Sequence, residues 1–198
     1  YTEMGVWGFS SKHHLDVLLV GLPLEEILFF YAIPFCCLFS YFVFKNNVSI
    51  KPIEIPAKIY FVLGVGFLLL SYLFIDKAYT LSVCVFTAVI LFTLAYKPQP
   101  WFSVFLFSFI LISLGPFLLV NGVLTGLLDS LSPPVWYNDS ENLGIRVLTI
   151  PIEDFLYSFS LLFSCTYIFE RSLAAPLHSF RMGRDAIVLA TLALRFCM

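Results

Sequence analysis

Residues 22–44 read LPLEEILFFYAIPFCCLFSYFVF: a proline, two adjacent acids, then an almost unbroken apolar run. A helix rising about 1.5 Å per residue needs roughly 20 predominantly apolar residues to cross a hydrocarbon core of about 30 Å. The stretch is long enough to cross, and its acids stand in the first turn. Apolar character begins already at Leu15, and one helix from Val17 to Phe44 would be too long. A break is therefore expected at Gly21-Leu22-Pro23, with Pro23 at the first helical position.

Working outward, four more runs of this kind follow, so the expected spans are Leu22–Phe44, Ile59–Ile75, Tyr79–Tyr96, Phe102–Val120 and Ile150–Phe169. Only Asp76-Lys77-Ala78 joins the second to the third, and Lys97-Pro98-Gln99-Pro100 the third to the fourth, which makes them antiparallel neighbours. Composition agrees: 60% of the 198 residues are apolar and 12% charged, whereas a soluble domain carries about 45–50% and 25%. The expected fold is all-α, a polytopic transmembrane helix bundle. Lys45, Lys51, Lys58, Lys97, Arg171, Arg181 and Arg184 on one side, against Lys12, Lys77 and Arg146 on the other, put the starts of the first and fifth spans on the exofacial side.

Several function classes drop out. A net charge of −2 with no basic tract argues against nucleic acid. The five cysteines lack ligand spacing, and adjacent His13 and His14 cannot both aim at one ion, so no metal site is expected. Gly64-Val65-Gly66 lacks the third glycine of a dinucleotide fingerprint, and no redox cofactor is expected either. The connection Asn121–Thr149 is long for a compact bundle and reads as functional.

The chemistry lies in a duplication. Pro23-Leu24-Glu25-Glu26-Ile27-Leu28-Phe29 at the first span matches Pro151-Ile152-Glu153-Asp154-Phe155-Leu156-Tyr157 at the fifth. Both read proline, aliphatic, Glu, acid, apolar, Leu, aromatic. The second span separates the units, so they run in the same direction, a parallel repeat. On this reading 1–44 ends a first unit whose two earlier helices precede Tyr1, 79–170 is the second unit, and 171–198 is a tail of unknown role. Acids at membrane depth are functional candidates by default. Neighbours on a helix point about 100° apart, so one acid of each pair can face inward while the other supports it. If the inward members meet in a poor dielectric they cannot all ionise together. Phe29, Phe30, Phe155 and Tyr157 add ring faces, each able to stabilise a cation by about 0.5–2 kcal/mol. An acid, π faces and a greasy environment suit protonation of an alkene and shelter of the carbocation. A proton- or ion-coupled transporter is the alternative use of duplicated acids.

The blocks Met4-Gly5-Val6-Trp7-Gly8-Phe9, Leu22-Pro23-Leu24-Glu25-Glu26, Val120-Asn121-Gly122-Val123-Leu124-Thr125-Gly126, Trp136-Tyr137-Asn138-Asp139-Ser140-Glu141-Asn142-Leu143-Gly144-Ile145-Arg146 and Thr149-Ile150-Pro151-Ile152-Glu153-Asp154-Phe155 occur in this order. Together they resemble the integral-membrane lycopene cyclases, the heterodimeric or fused two-half type, over about residues 1–170. The resemblance implies a seven-helix bundle of two homologous halves and cofactor-independent conversion of a linear carotene, lycopene, taken from the lipid phase, to β-ionone rings. It implies a prokaryotic cytoplasmic membrane, and a second cyclase subunit or a homo-oligomer as partner. Carried over residue by residue, Glu25, Glu26, Glu153 and Asp154 are the acid–base candidates, in an order left open. Trp7, Phe29, Phe30, Asn121, Asn138, Glu141, Asn142, Arg146, Phe155 and Tyr157 are the binding or supporting candidates.

Overall fold

A computed structural model describes residues 1–15, 17–19 and 21–174. Of the expected tail, everything from 175 onward, including Arg181, Arg184 and Cys197, lies outside the described residues. The five expected spans are all helical: α1 (Leu24–Asn47), α2 (Ala57–Leu73), α3 (Ala78–Tyr96), the fourth span in two pieces, α4 (Phe102–Ile112) and α5 (Leu118–Leu124), and α6 (Ile152–Ala174). Leu24–Asn47, Ala78–Tyr96 and Phe102–Leu124 are long and apolar enough to cross a membrane. Helix α2 is apolar but shorter, with 17 residues, and α6 carries Glu153 and Asp154 in its first turn and Arg171 in its last.

The fourth span differs from a plain helix. Ser113–Phe117 winds as a π-helix around Pro116, whose missing N–H breaks the regular ladder, and α5 then continues to Leu124. Asn121, expected at the start of a loop, is thus a helical residue. Pro23 also differs: it precedes the helix with an extended backbone, φ −57° and ψ 142°, because it is held in a short strand pair.

Among the described residues, six short strands escape the apolar pattern. They are β1 (Trp7–Phe9), β2 (Leu18–Leu19), β3 (Leu22–Pro23), β4 (Val135–Tyr137), β5 (Arg146–Val147) and β6 (Ile150–Pro151). They form three antiparallel pairs, β1 with β4, β2 with β3 and β5 with β6. Trp7 stands opposite Tyr137 and Gly8 opposite Trp136, whose ring occupies the space a Cβ on residue 8 would need. Contacts near both ends, Phe30 with Tyr157 and Phe42 with Phe169, show α1 and α6 running parallel. Helix α3 lies parallel to α6, with Thr80 on Glu153 and Thr87 near Ser160. Helix α4 runs against it, with Trp101 on Tyr167 and Phe109 on Phe159.

One core cluster, around Tyr41, Leu94, Trp101, Phe105 and Phe163, fills the end where α1 and α6 finish. The other, around Val6, Trp7, Leu22, Phe30 and Tyr79, fills the end where they begin. The acids stand at this second end.

Candidate active site

Each acidic helix start is delivered by a tight strand pair. Leu18 pairs with Pro23 and Arg146 with Pro151; the Leu24 N–H then donates to Val17 O at 2.9 Å, and the Ile152 N–H to Ile145 O at 2.9 Å. The first acid ties down the segment before its own strand pair. Glu25 Oε1 accepts from the Leu15 N–H at 2.8 Å, and Glu153 Oε1 from the Leu143 N–H at 2.7 Å. Every member of these contacts recurs 128 residues later.

The second acid of each pair sits one residue on and faces the interior. Glu26 and Asp154 line one cavity of about 220 Å³, together with Trp7, Tyr79, Asn121 and Tyr137. The same cavity follows α1 through Phe29, Phe30 and Ile33 as far as Ser40, about 21 Å at helical rise. Opposite α1 it is walled by the interrupted fourth span, from Ile112 to Leu124, and by Tyr157 and Leu161 of α6.

The two inward acids have unlike surroundings. Asp154 is 5% exposed. Its Oδ1 accepts from the Tyr79 hydroxyl at 2.5 Å, and its Oδ2 from the Tyr137 hydroxyl and Asn121 Nδ2, both at 2.8 Å. Three donors on two oxygens suit an acceptor-only carboxylate. Glu26 makes no side-chain hydrogen bond among the described residues, and its neighbours along the cavity are aromatic rings. Glu153, 1% exposed, turns away from the cavity; its Oε1 also takes the Thr80 hydroxyl at 2.7 Å, while its Oε2 is buried without a partner among the described residues.

The rings form a connected wall. Trp7 meets Tyr79 edge-on at 5.2 Å and Tyr157 at 6.4 Å, Phe30 meets Tyr157 at 6.5 Å, and Tyr79 stacks on Tyr137 at 6.2 Å. Phe155 is elsewhere, packed on Phe117 at 5.0 Å.

The polar block 138–146 lies over this wall and braces it. The Asn138 N–H donates to Val6 O at 2.9 Å, and its Oδ1 accepts from Ser140. Glu141 Oε2 accepts the Ala78 N–H at 3.1 Å and its carbonyl the Tyr79 N–H at 3.1 Å, capping α3 just where Tyr79 and Thr80 leave it. Asn142, 1% exposed, bonds Asn138 O and the Gly144 N–H. Arg146 pairs with Asp139, donates to Thr149 O at 2.9 Å and lies 5.9 Å over the Tyr137 ring. Asn138, Glu141, Asn142 and Arg146 therefore meet backbone, Ser140, Asp139 and the Tyr137 ring, and Asn121 alone of the expected polar residues reaches an inward acid.

Tyr79, Thr80 and Tyr137 are not among the site residues expected from the sequence. Tyr79-Thr80 is a hydroxyl pair at the start of an otherwise apolar span, on the side where the acidic starts lie, and that placement was the available signal.

The lycopene cyclase family model matches residues 1–44 and 76–172, leaving out only the linker and α2 before the tail. This chain belongs to the lycopene cyclase family. No curated protein and no solved structure matches it. The two matched segments of this lycopene cyclase family member are those that supply both acidic helix starts, the β1–β4 pair and the aromatic wall. Membership supports a carotenoid cyclase function seated in a membrane, and lends nothing to ion-coupled transport.

Proposed function

We propose that the chain closes the acyclic end groups of lycopene to β-ionone rings by acid–base catalysis. The observation that carries this reading is the unlike pair in one apolar cavity, Glu26 without a hydrogen-bond donor among the described residues and Asp154 held by three. The reaction moves protons and forms one C–C bond without net oxidation, so it asks no redox partner of the protein.

In this mechanism Glu26 protonates the terminal double bond and leaves a tertiary carbocation. The neighbouring internal alkene attacks that cation to close the six-membered ring. Asp154 then takes the ring proton that generates the new double bond. A carboxylic acid is far weaker than alkene protonation requires, so the cation must be stabilised by what surrounds it. The fixed Asp154 carboxylate supplies charge, and the faces of Trp7, Phe30, Tyr79 and Tyr157 add about 0.5–2 kcal/mol each. Glu25 and Glu153 act as braces of the helix starts, and the block Asn138–Arg146 positions Tyr79 and Tyr137. Contacts that recur 128 residues apart support reading 1–44 and 79–170 as duplicated parallel units.

The substrate reaches the acids from lipid along the face of α1, with a prokaryotic cytoplasmic membrane as the setting. Expression of the gene in lycopene-accumulating cells tests the reading. New cyclic carotenes that disappear in Glu26→Gln support it. Unchanged lycopene beside well-expressed wild-type protein rejects it.

A further inference from the structure

On the acid–base reading above, one turnover leaves Glu26 without its proton and Asp154 with one too many. The enzyme must reset, and the proton on Asp154 has two ways to leave. It can pass to bulk water while Glu26 takes a fresh one, or it can cross the cavity that both carboxyls line.

The surroundings favour the second route. Asp154 is 5% exposed, Tyr79 1%, Trp7 6%, Asn142 1% and Val6 0%. The β1–β4 pair closes this end of the bundle, with Trp7 and Tyr137 on facing positions, and Tyr79, Tyr137 and Asn121 all donate to Asp154. On the other side the cavity runs along α1 between apolar walls. After turnover the negative charge rests on Glu26, which has no donor among the described residues, while the three donors of Asp154 face a neutral acid. A carboxylate without hydrogen bonds in apolar surroundings is costly, and one accepting three is not. Return of the proton from Asp154 to Glu26 restores both groups to the partners they have at rest.

We propose that the proton removed from one end group is the proton delivered to the next, recycled between Asp154 and Glu26 inside the cavity. The bookkeeping closes. A C–H bond forms as the Glu26 O–H breaks, a ring C–C bond forms, a ring C–H breaks as the Asp154 O–H forms, and transfer of that proton to Glu26 returns the starting state with no net proton or electron exchanged.

Isotope retention tests this in the unaltered, membrane-embedded protein. Perdeuterated lycopene is converted in ordinary water under multiple turnovers, and unlabelled lycopene in D2O, with the cyclic products analysed by mass spectrometry. Recycling predicts that, after the first turnover of each site, perdeuterated substrate keeps all its deuterium and unlabelled substrate gains none. Loss of one deuteron per ring in water, with gain of one per ring in D2O, overturns recycling and leaves the cyclase reading intact. Absence of any cyclic product in both arms overturns the cyclase reading and recycling with it.

Discussion

Replacing Tyr79 by Phe isolates one hydrogen bond. The ring is 1% exposed, stacks on Tyr137 and meets Trp7 edge-on, so phenylalanine keeps the packing and removes only the oxygen. That oxygen is the donor to Asp154 Oδ1, at 2.5 Å, whereas Oδ2 is shared by Tyr137 and Asn121. A hydrogen bond to a charged group contributes about 1.5–3 kcal/mol, and its loss raises by that much the cost of keeping Asp154 ionised and ready to act as the base. At about 1.36 kcal/mol per factor of ten, cyclisation by Tyr79→Phe should slow about 10- to 150-fold. Tyr137→Phe should slow it less, because Asn121 still serves the same oxygen. Initial rates of cyclic carotene formation in membranes, normalised to protein amount and checked against the melting temperature in detergent, give the comparison. A folded Tyr79→Phe variant with the wild-type rate, or a Tyr137→Phe variant slower than Tyr79→Phe, would refute the division of donors on which the assignment of Asp154 rests.

The two acids of the first helix start should separate cleanly. Glu26→Gln removes the proposed proton donor and should lower the rate about 10²- to 10⁴-fold, whereas Glu25→Gln, which keeps an acceptor for the Leu15 N–H, should lower it less than tenfold; equal losses would place the acid elsewhere. Thr80→Val withdraws the hydroxyl from buried Glu153 and should destabilise the fold by about 1–3 kcal/mol, read as a melting temperature lowered about 2–4 °C for each kcal/mol. Leu148, exposed and left-handed at φ 59°, carries strain of about 1–2 kcal/mol that glycine would relieve. After about 0.5–1 kcal/mol of added unfolded-state entropy, Leu148→Gly should be neutral to slightly stabilising, and a clear fall in melting temperature would contradict this.

The spans could be read from the chain because length and apolarity alone decide whether a helix can cross lipid. Their interruptions could not. Pro116 lies inside an apolar run that hides its effect, and Asn121 follows it on what is still a helix. The two- and three-residue strands carry no periodicity of their own, and β1 finds β4 more than a hundred residues away. At the candidate site, the matched Glu-acid pairs lie in the first turns of α1 and α6, and a 100° offset implied one inward member in each. Which member faces inward depends on how α1 and α6 are rotated against α3 and the fourth span, a property of packing rather than of either motif. The polar block was conspicuous for its charges, yet its side chains meet backbone and α3. The hydroxyls that do meet Asp154 sit in ordinary-looking tyrosines, made visible only by the fold that buries them.

The β1–β4 pair has a property its three rungs do not advertise. Shifting Trp7, Gly8 and Phe9 by 128 positions lands on Val135, Trp136 and Tyr137, the strand they bond to, in reversed order. The flanking bonds obey the same exchange, with the Ser10 N–H on Pro134 O and the Asn138 N–H on Val6 O, both at 2.9 Å. Two copies of one polypeptide meeting across a dyad would make a self-complementary contact of this kind. The ribbon therefore joins positions that are equivalent under the 128-residue spacing, each strand presenting to the other the edge it receives.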